Sequence, residues 1–355
     1  MNNEESDSGS DDDGAAADSI RTIAIAYTDV RREYYPTDED FHSDNDVKDR
    51  AKEIASILKR LHYSVKLYKA DSSIISRFQK RKPDLVINLV ESIKGSSILA
   101  SSFPAMLDTI NVPYTGTSNA PFVFTTSKFL MKQTFEQYDI PTPRYELFVS
   151  VPKSLPKFLR FPVIAKLNTH LGGSAGMDND AVSEDESHAL RKIAKLIETY
   201  HQPVLVEEFI DGGELSAIVI DNNGELEVYI GEKVFKKDEK KRKFDFCSWD
   251  SVWTEEDSYS YKPYHDKKGK ITEFCKKAFR VFNVGNYVKY DIRLDKKGKP
   301  YFIDLNVNCS FGPGDNAIAN IPSIYGVTFE ETLQKIIETA AKEREKYNFR
   351  EAVNP

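Results

Sequence analysis

The sequence predicts an α/β (α+β) protein in which a parallel-sheet unit comes first and units built on antiparallel strands follow. The first half of that prediction rests on alternation. Thr22–Tyr27 (TIAIAY) is a short apolar run of the kind that makes a buried strand, an apolar stripe at helical spacing comes next, and Tyr63–Tyr68 and Asp84–Val90 (DLVINLV) read as further strands. Strands alternating with helices make parallel sheets with right-handed crossovers. The second half rests on turns. Asn222-Asn-Gly224 separates Glu214–Ile220 from Leu226–Glu232, and Asp295-Lys-Lys-Gly298 separates Tyr287–Leu294 from Pro300–Asn306, which are two hairpin signatures.

In chain order, residues 1–20 hold seven acids and no Lys or Arg. Such a segment cannot bury enough apolar surface to offset its ordering entropy, so a solvated acidic tail is expected. The other 335 residues carry 49 bases and 49 acids, so the folded body is neutral and shows no basic excess for a nucleic-acid partner. An apolar content of 40% with 12% aromatic residues fits an ordered globular chain. No apolar signal segment follows Met1, and no run reaches the roughly 18–20 apolar residues that span a bilayer. Cys247, Cys275 and Cys309 are odd in number and widely separated, so they make neither a zinc spacing nor a disulfide framework. A cytoplasmic protein without a membrane partner is the expectation.

Residues 21–125 read as the parallel-sheet domain. Val47, Ala51, Ile54, Ala55, Leu58 and Leu61 give an amphipathic helix over about 47–61. Asp29–Asp46 and Glu91–Ser102 follow two of the strands, so they lie at the sheet edge where ligands bind. Residues 126–205 and 206–347 read as two further units, with 348–355 as a tail. Ser127–Tyr138 is a helix stopped by Ile140-Pro-Thr-Pro143. The strand Phe161–Leu167 leads into the Gly-rich His170–Met177, and the helix Glu184–Tyr200 and strand Pro203–Phe209 follow. Lys236–Lys243 reads as a polar loop, and Val327–Glu345 closes the chain as a helix.

Chemistry concentrates on the late hairpin. Asp291 and Asp304 lie on its two arms, and period-2 geometry puts Asp304 and Asn306 on one face, with Ile303 and Leu305 turned to a core. Three hard oxygen donors there suit Mg²⁺, which takes one or two carboxylates completed by phosphate and water; Mn²⁺ would accept the same donors. The plainer alternative is a polar sheet face whose acids meet lysines. Lys128 opens a helix, and Lys166 stands in an apolar strand, where an ammonium is costly to bury unless it meets an anion. Within ten residues come Gly172, Gly173 and Ser174, whose unhindered backbone N–H groups can cradle phosphate. Val206-Glu-Glu-Phe-Ile-Asp-Gly-Gly-Glu214 is an apolar strand ending in carboxylates and turning sharply, able to present backbone groups to a flat base and Glu214 to ribose hydroxyls; the plainer alternative for Glu207 and Glu208 is ordinary strand-end charge.

In their order along the chain, these elements resemble the ATP-grasp superfamily, and within it the D-alanine–D-alanine ligase group. The resemblance covers about residues 22–340 and includes Asn111-Val-Pro-Tyr-Thr-Gly116 and Ile140-Pro-Thr-Pro143. It implies an N-terminal Rossmann-like domain followed by two α+β subdomains that clasp ATP. It also implies an ATP-dependent carboxylate–amine ligase that works through an acylphosphate and releases ADP and phosphate. The substrates would be a small carboxylic acid and an amine, such as an amino acid or peptide, and homodimers are common in the group. Carried over by position, Lys128 and Lys166 would hold the α- and β-phosphates, and Gly172, Gly173 and Ser174 would form a flap over them. Glu207, Glu208 and the backbone of Phe209 and Ile210 would meet adenine, and Glu214 the ribose. Asp291, Asp304 and Asn306 would hold one or two Mg²⁺, and Lys289 would stand near the transferred phosphate, with Ser174 as the other catalytic group. The glycine flap and the 233–249 loop would act as lids.

Three departures point away from D-alanine as substrate. No Glu among Thr28–Glu33 matches the one that holds the first amine in that group. Ser248 or Trp249 falls where the lid carries a phosphate-contacting Lys. Asp315 or Asn316 lies where a serine meets the acceptor carboxylate. A different acid–amine pair is expected, with Glu91, Asp315 and Asn316 as its contacts. The competing expectation is a nucleotide-binding protein without turnover, acting as a regulatory or interaction module.

Overall fold

The computed structural model describes residues 20–169, 180–236, 243–247, 259–314 and 317–346. Its first sheet is the one the alternation demands. β1 (Thr22–Tyr27), β2 (Ser64–Lys69) and β3 (Leu85–Leu89) pair in the order β2-β1-β3, all parallel. Between β1 and β2 come a short helix α1 (Asp38–Asp44) and the amphipathic α2 (Val47–Arg60), and α3 (Ile74–Lys80) crosses from β2 to β3. Val47, Ala51, Ile54, Ala55 and Leu58 of α2 are buried with Ile23, Ile25, Leu85 and Ile87 of the sheet. Four helices follow: α4 (Ser97–Ala100), α5 (Ser102–Thr109), α6 (Asn119–Thr126) and α7 (Lys128–Gln137).

The second sheet is antiparallel and four-stranded. β4 (Tyr145–Phe148), β5 (Val163–Leu167), β6 (Val182–Ser183) and β7 (Val204–Glu208) pair in the order β4-β7-β5-β6, with α8 (Glu186–Tyr200) before β7. This unit runs on to Glu208, past the boundary at 205 that the sequence suggests, because β7 pairs with both β4 and β5. It keeps its own core of Val163, Ala165, Leu167, Ile193, Leu196 and Val206.

The third sheet is antiparallel with five strands. β8 (Glu214–Asn222), β9 (Glu225–Phe235), β10 (Tyr259–Pro263), β11 (Tyr287–Leu294) and β12 (Pro300–Asn306) take the order β10-β9-β8-β11-β12. α9 (Lys270–Val281) precedes β11, and α10 (Ala317–Ser323) and α11 (Phe329–Lys346) close the described chain. Apolar side chains weld this sheet to the first. Ala24, Ala26 and Val86 share a core with Val219, Val288, Tyr290 and Phe302. On the opposite side, Ile218, Ile220 and Leu333 share one with Ile23, Leu85 and Ile87.

Two close contacts fix the segment after β1. Gly95, at φ +73°, comes so near that an added Cβ would lie 2.1 Å from the Tyr34 carbonyl oxygen, so only glycine fits there. The Tyr200 hydroxyl at the end of α8 faces Asp40 of α1, and burial beside that carboxylate raises its pKa. No helix among the described residues is long and apolar enough to cross a membrane.

Candidate active site

The late hairpin does bring its oxygen donors together, by a route that simple alternation misses. Asp291 on β11 faces Asp304 on β12, and the next pair is Ile292 with Phe302, so Ile303 is an extra residue in β12. A bulge of this kind reverses the facing of the residues on either side of it. Phe302, Leu305 and Val307 therefore enter the core, while Ile303, Asp304 and Asn306 line a cavity. The expectation that Ile303 joins Leu305 on the core side is corrected by this bulge. On β11 regular alternation holds: Val288, Tyr290 and Ile292 are core, and Lys289, Asp291 and Arg293 line the cavity.

Both cavity-facing carboxylates of the hairpin are matched by an ammonium. Lys128 Nζ donates to Asp304 Oδ2 at 2.7 Å, and Lys289 Nζ to Asp291 Oδ2 at 2.6 Å. Ser216 Oγ also donates to Asp291 Oδ1 at 2.7 Å. Burial raises the Asp291 pKa, but Lys289 and Lys233 outweigh it and bring it down to about 2. Lys128 is aimed by its backbone: its N–H donates to Asn168 O at 2.9 Å, and Asn168 Oδ1 accepts from Phe129 N at 3.0 Å, which pins the start of α7 to the end of β5.

Lys166 on β5 also reaches the cavity, and its partner is Glu207. Glu207 Oε1 lies 2.5 Å from Lys166 Nζ, and Oε2 lies 2.5 Å from Lys132 Nζ. Both oxygens are thus held by ammonium groups, so in this structure Glu207 anchors two lysines, where the sequence suggested an adenine contact. Burial pushes its pKa up, but the two cations hold it below the ordinary carboxylate value. Nothing in the sequence singles out Lys132, although it stands one helical turn from Lys128; burial lowers its pKa against the pull of Glu207.

The turn after β7 is organised by Arg293, also missed from sequence. Its guanidinium donates to the carbonyls of Ile210 (3.0 Å), Gly212 (3.1 Å) and Asp245 (2.8 Å) and to Glu214 Oε2 (2.8 Å), and it stacks over the Phe209 ring at 4.8 Å. Lys233 Nζ donates to Glu214 Oε1 at 2.6 Å. Glu214, expected to meet ribose, therefore has both oxygens in ion pairs. Phe209 N–H donates to Pro162 O at 2.9 Å, and Glu208 Oε1 accepts from Arg160 N at 3.0 Å. Glu208, Phe209, Ile210 and Glu214 all line the cavity.

At the other end the cavity meets the N-terminal unit. Asp44, at the end of α1, is 5% exposed, and its Oδ2 accepts from Tyr35 Oη at 2.7 Å and Ser92 Oγ at 2.9 Å. Burial raises its pKa, opposed by those two hydroxyls. This carboxylate lies beyond Thr28–Glu33, the stretch in which the sequence offers no match. Glu91 lines the cavity too, with Oε1 accepting from Arg50 Nη1 at 2.8 Å; burial raises its pKa against Arg50. Cys309 lines the same wall, its thiol pushed up to about 12 by burial. All three cysteines are free.

The cavity holds about 360 Å³. Gly172, Gly173, Ser174, Asp315 and Asn316 lie outside the described residues, as do Ser248 and Trp249. Among the described residues no group of three His, Cys, Asp or Glu could hold a metal. Two carboxylates and an amide remain at Asp291, Asp304 and Asn306, and this donor set fits Mg²⁺ in a site completed by phosphate oxygens and water. The cations Lys128, Lys166, Lys233 and Lys289 around it fit a polyphosphate.

A family model described as D-ala D-ala ligase C-terminus matches residues 134–338. An uncharacterized protein of Sinorhizobium fredii is 26% identical over 273 residues, which is 72% of this chain and 77% of that protein. A D-alanine–D-alanine ligase of Carboxydothermus hydrogenoformans is 22% identical over 303 residues, 82% of this chain and 92% of the relative. Among solved structures, the D-alanine–D-alanine ligase of Bacillus anthracis complexed with ATP matches with a TM-score of 0.71 at 14% identity, covering 92% of this chain and 99% of that one. The Coxiella burnetii enzyme matches with a TM-score of 0.66 at 14% identity, covering 94% and 97%. At such identities the structures establish the fold.

Proposed function

We propose, from the premise that this chain belongs to the D-Ala-D-Ala ligase-like ATP-grasp family, that it is an ATP-dependent carboxylate–amine ligase acting on an acid–amine pair other than two D-alanines. One observation carries the reading: Asp291, Asp304 and Asn306 line the same cavity as Lys128, Lys166 and Lys289. Bound Mg²⁺ would neutralise phosphate charge and orient the terminal phosphoryl group for attack by a carboxylate.

The residues of this chain then have distinct work. Asp291, Asp304 and Asn306 hold the cation. Lys128 exchanges its partner, leaving Asp304 for a phosphate oxygen, and Lys166, held straight by Glu207, meets the same chain of phosphates. Lys289 stands beside Asp291, where it can stabilise charge on the phosphate under transfer. Arg293 and Glu214 hold the turn that lines the base and ribose end. Asp44 offers the acid substrate an anion for an ammonium group, taking the place of the Glu sought among Thr28–Glu33. The products are an amide, ADP and phosphate, formed through an acylphosphate that the amine opens.

The test is ADP release with Mg-ATP and pools of amino acids, hydroxy acids and small amines. Release stimulated by particular pools supports a ligase. Saturable ATP binding with no stimulated release in any pool supports a binding module instead.

A further inference from the structure

We infer, resting on the nucleotide reading above, that Lys233 supplies the phosphate-contacting cation that the lid loop lacks at Ser248 and Trp249, and that it meets the terminal phosphate of bound ATP. Lys233, which the sequence puts at the start of the 233–249 loop, lies instead within β9, part of the sheet, and its side chain is only 4% exposed. Its ammonium lies 2.6 Å from Glu214 Oε1 and 3.7 Å from Asp291 Oδ1, so it stands between the ribose end of the cavity and the metal carboxylates.

The local charge balance favours an anion there. Among the described residues, Lys233, Lys289 and Arg293 face only Glu214 and Asp291 within 3.7 Å, leaving one positive charge in surplus before any metal is added. Glu214 already has Arg293 at 2.8 Å, so a second cation is not needed to neutralise it. A desolvated ammonium is costly unless an anion meets it. The Tyr259 ring, 5.5 Å from Nζ, walls one side of the lysine. A cation carried on a strand is fixed before the ligand arrives, whereas a lid lysine must be brought in by closure.

The experiment is calorimetric titration of wild type and Lys233→Met with a Mg²⁺ complex of a β,γ-non-hydrolysable ATP analogue and with Mg-ADP. Loss of a charged hydrogen bond predicts an analogue affinity about ten- to one-hundred-fold weaker, with ADP affinity changed less than about threefold. If Lys233→Met does not fold, the double variant Lys233→Met/Glu214→Gln removes the buried pair together, and the analogue-to-ADP ratio is read from it. Equal losses for both nucleotides, or no loss, overturn the inference and leave the nucleotide reading standing. A wild type that binds neither nucleotide overturns both.

Discussion

Glu207→Gln is the sharpest perturbation of the site's framework. It keeps the shape of the side chain and removes the one negative charge that Lys132 and Lys166 share. Lys132 is 0% exposed and Glu207 2%, so the lysine cannot regain water without moving. Removing one partner of a buried pair costs about 3–5 kcal/mol. In a chain of this size that lowers Tm by about 4–7 °C. The pH dependence has a definite sign. Burial lowers the Lys132 pKa below its ordinary 10.5, and loss of Glu207 lowers it further. A lysine with a depressed folded pKa penalises the fold fully below that pKa, and the penalty fades as pH rises toward the unfolded value. The variant's deficit against wild type should therefore be larger near neutral pH than about one unit below the ordinary lysine pKa. Thermal unfolding followed by circular dichroism at both values measures it. A variant Tm within about 1 °C of wild type at neutral pH, against the several degrees expected, would refute the claim that Glu207 anchors Lys132 and Lys166.

Three further outcomes are expected. Asp304→Asn should abolish substrate-stimulated ADP release while the chain still folds, and because its ion pair with Lys128 is more exposed than the Glu207 pairs its Tm should fall less than that of Glu207→Gln; normal turnover would remove Asp304 from the metal site. Asp291, brought down to about 2, contributes stability that is complete above its ordinary 3.8 and is lost as pH falls toward 2; Asp291→Asn should flatten that part of the acid unfolding curve, and an unchanged curve would contradict the ion pairing with Lys289. Gly95→Ala forces a Cβ to 2.1 Å from Tyr34 O at φ +73° and should destabilise by more than about 1 kcal/mol; a neutral result in urea unfolding would mean that the segment around Tyr34 does not pack there.

The sequence carried the parallel strands, the two hairpins and the shared face of Asp304 and Asn306, because periodicity records which face of a strand meets a core. What it hid depends on contacts between distant segments. The bulge at Ile303 arises from the pairing of β12 with β11, and no residue near it announces an extra position. Arg293 was readable in principle, two residues beyond Asp291 on the same face, but its reach to Ile210, Gly212 and Asp245 exists only once the turn after β7 folds over it. Lys132 looks like an ordinary helix lysine until Glu207 is brought against it. Asp44 sits in a helix of seven residues, too short to show a periodic stripe. Short helices such as α4 escape for the same reason.

The most direct measurement is a crystal structure with Mg²⁺ and a non-hydrolysable ATP analogue. The expected result is a cation on Asp291, Asp304 and Asn306, bridged to a triphosphate that Lys128 and Lys166 contact. A nucleotide bound elsewhere, or those three side chains without a cation beside bound nucleotide, would contradict it.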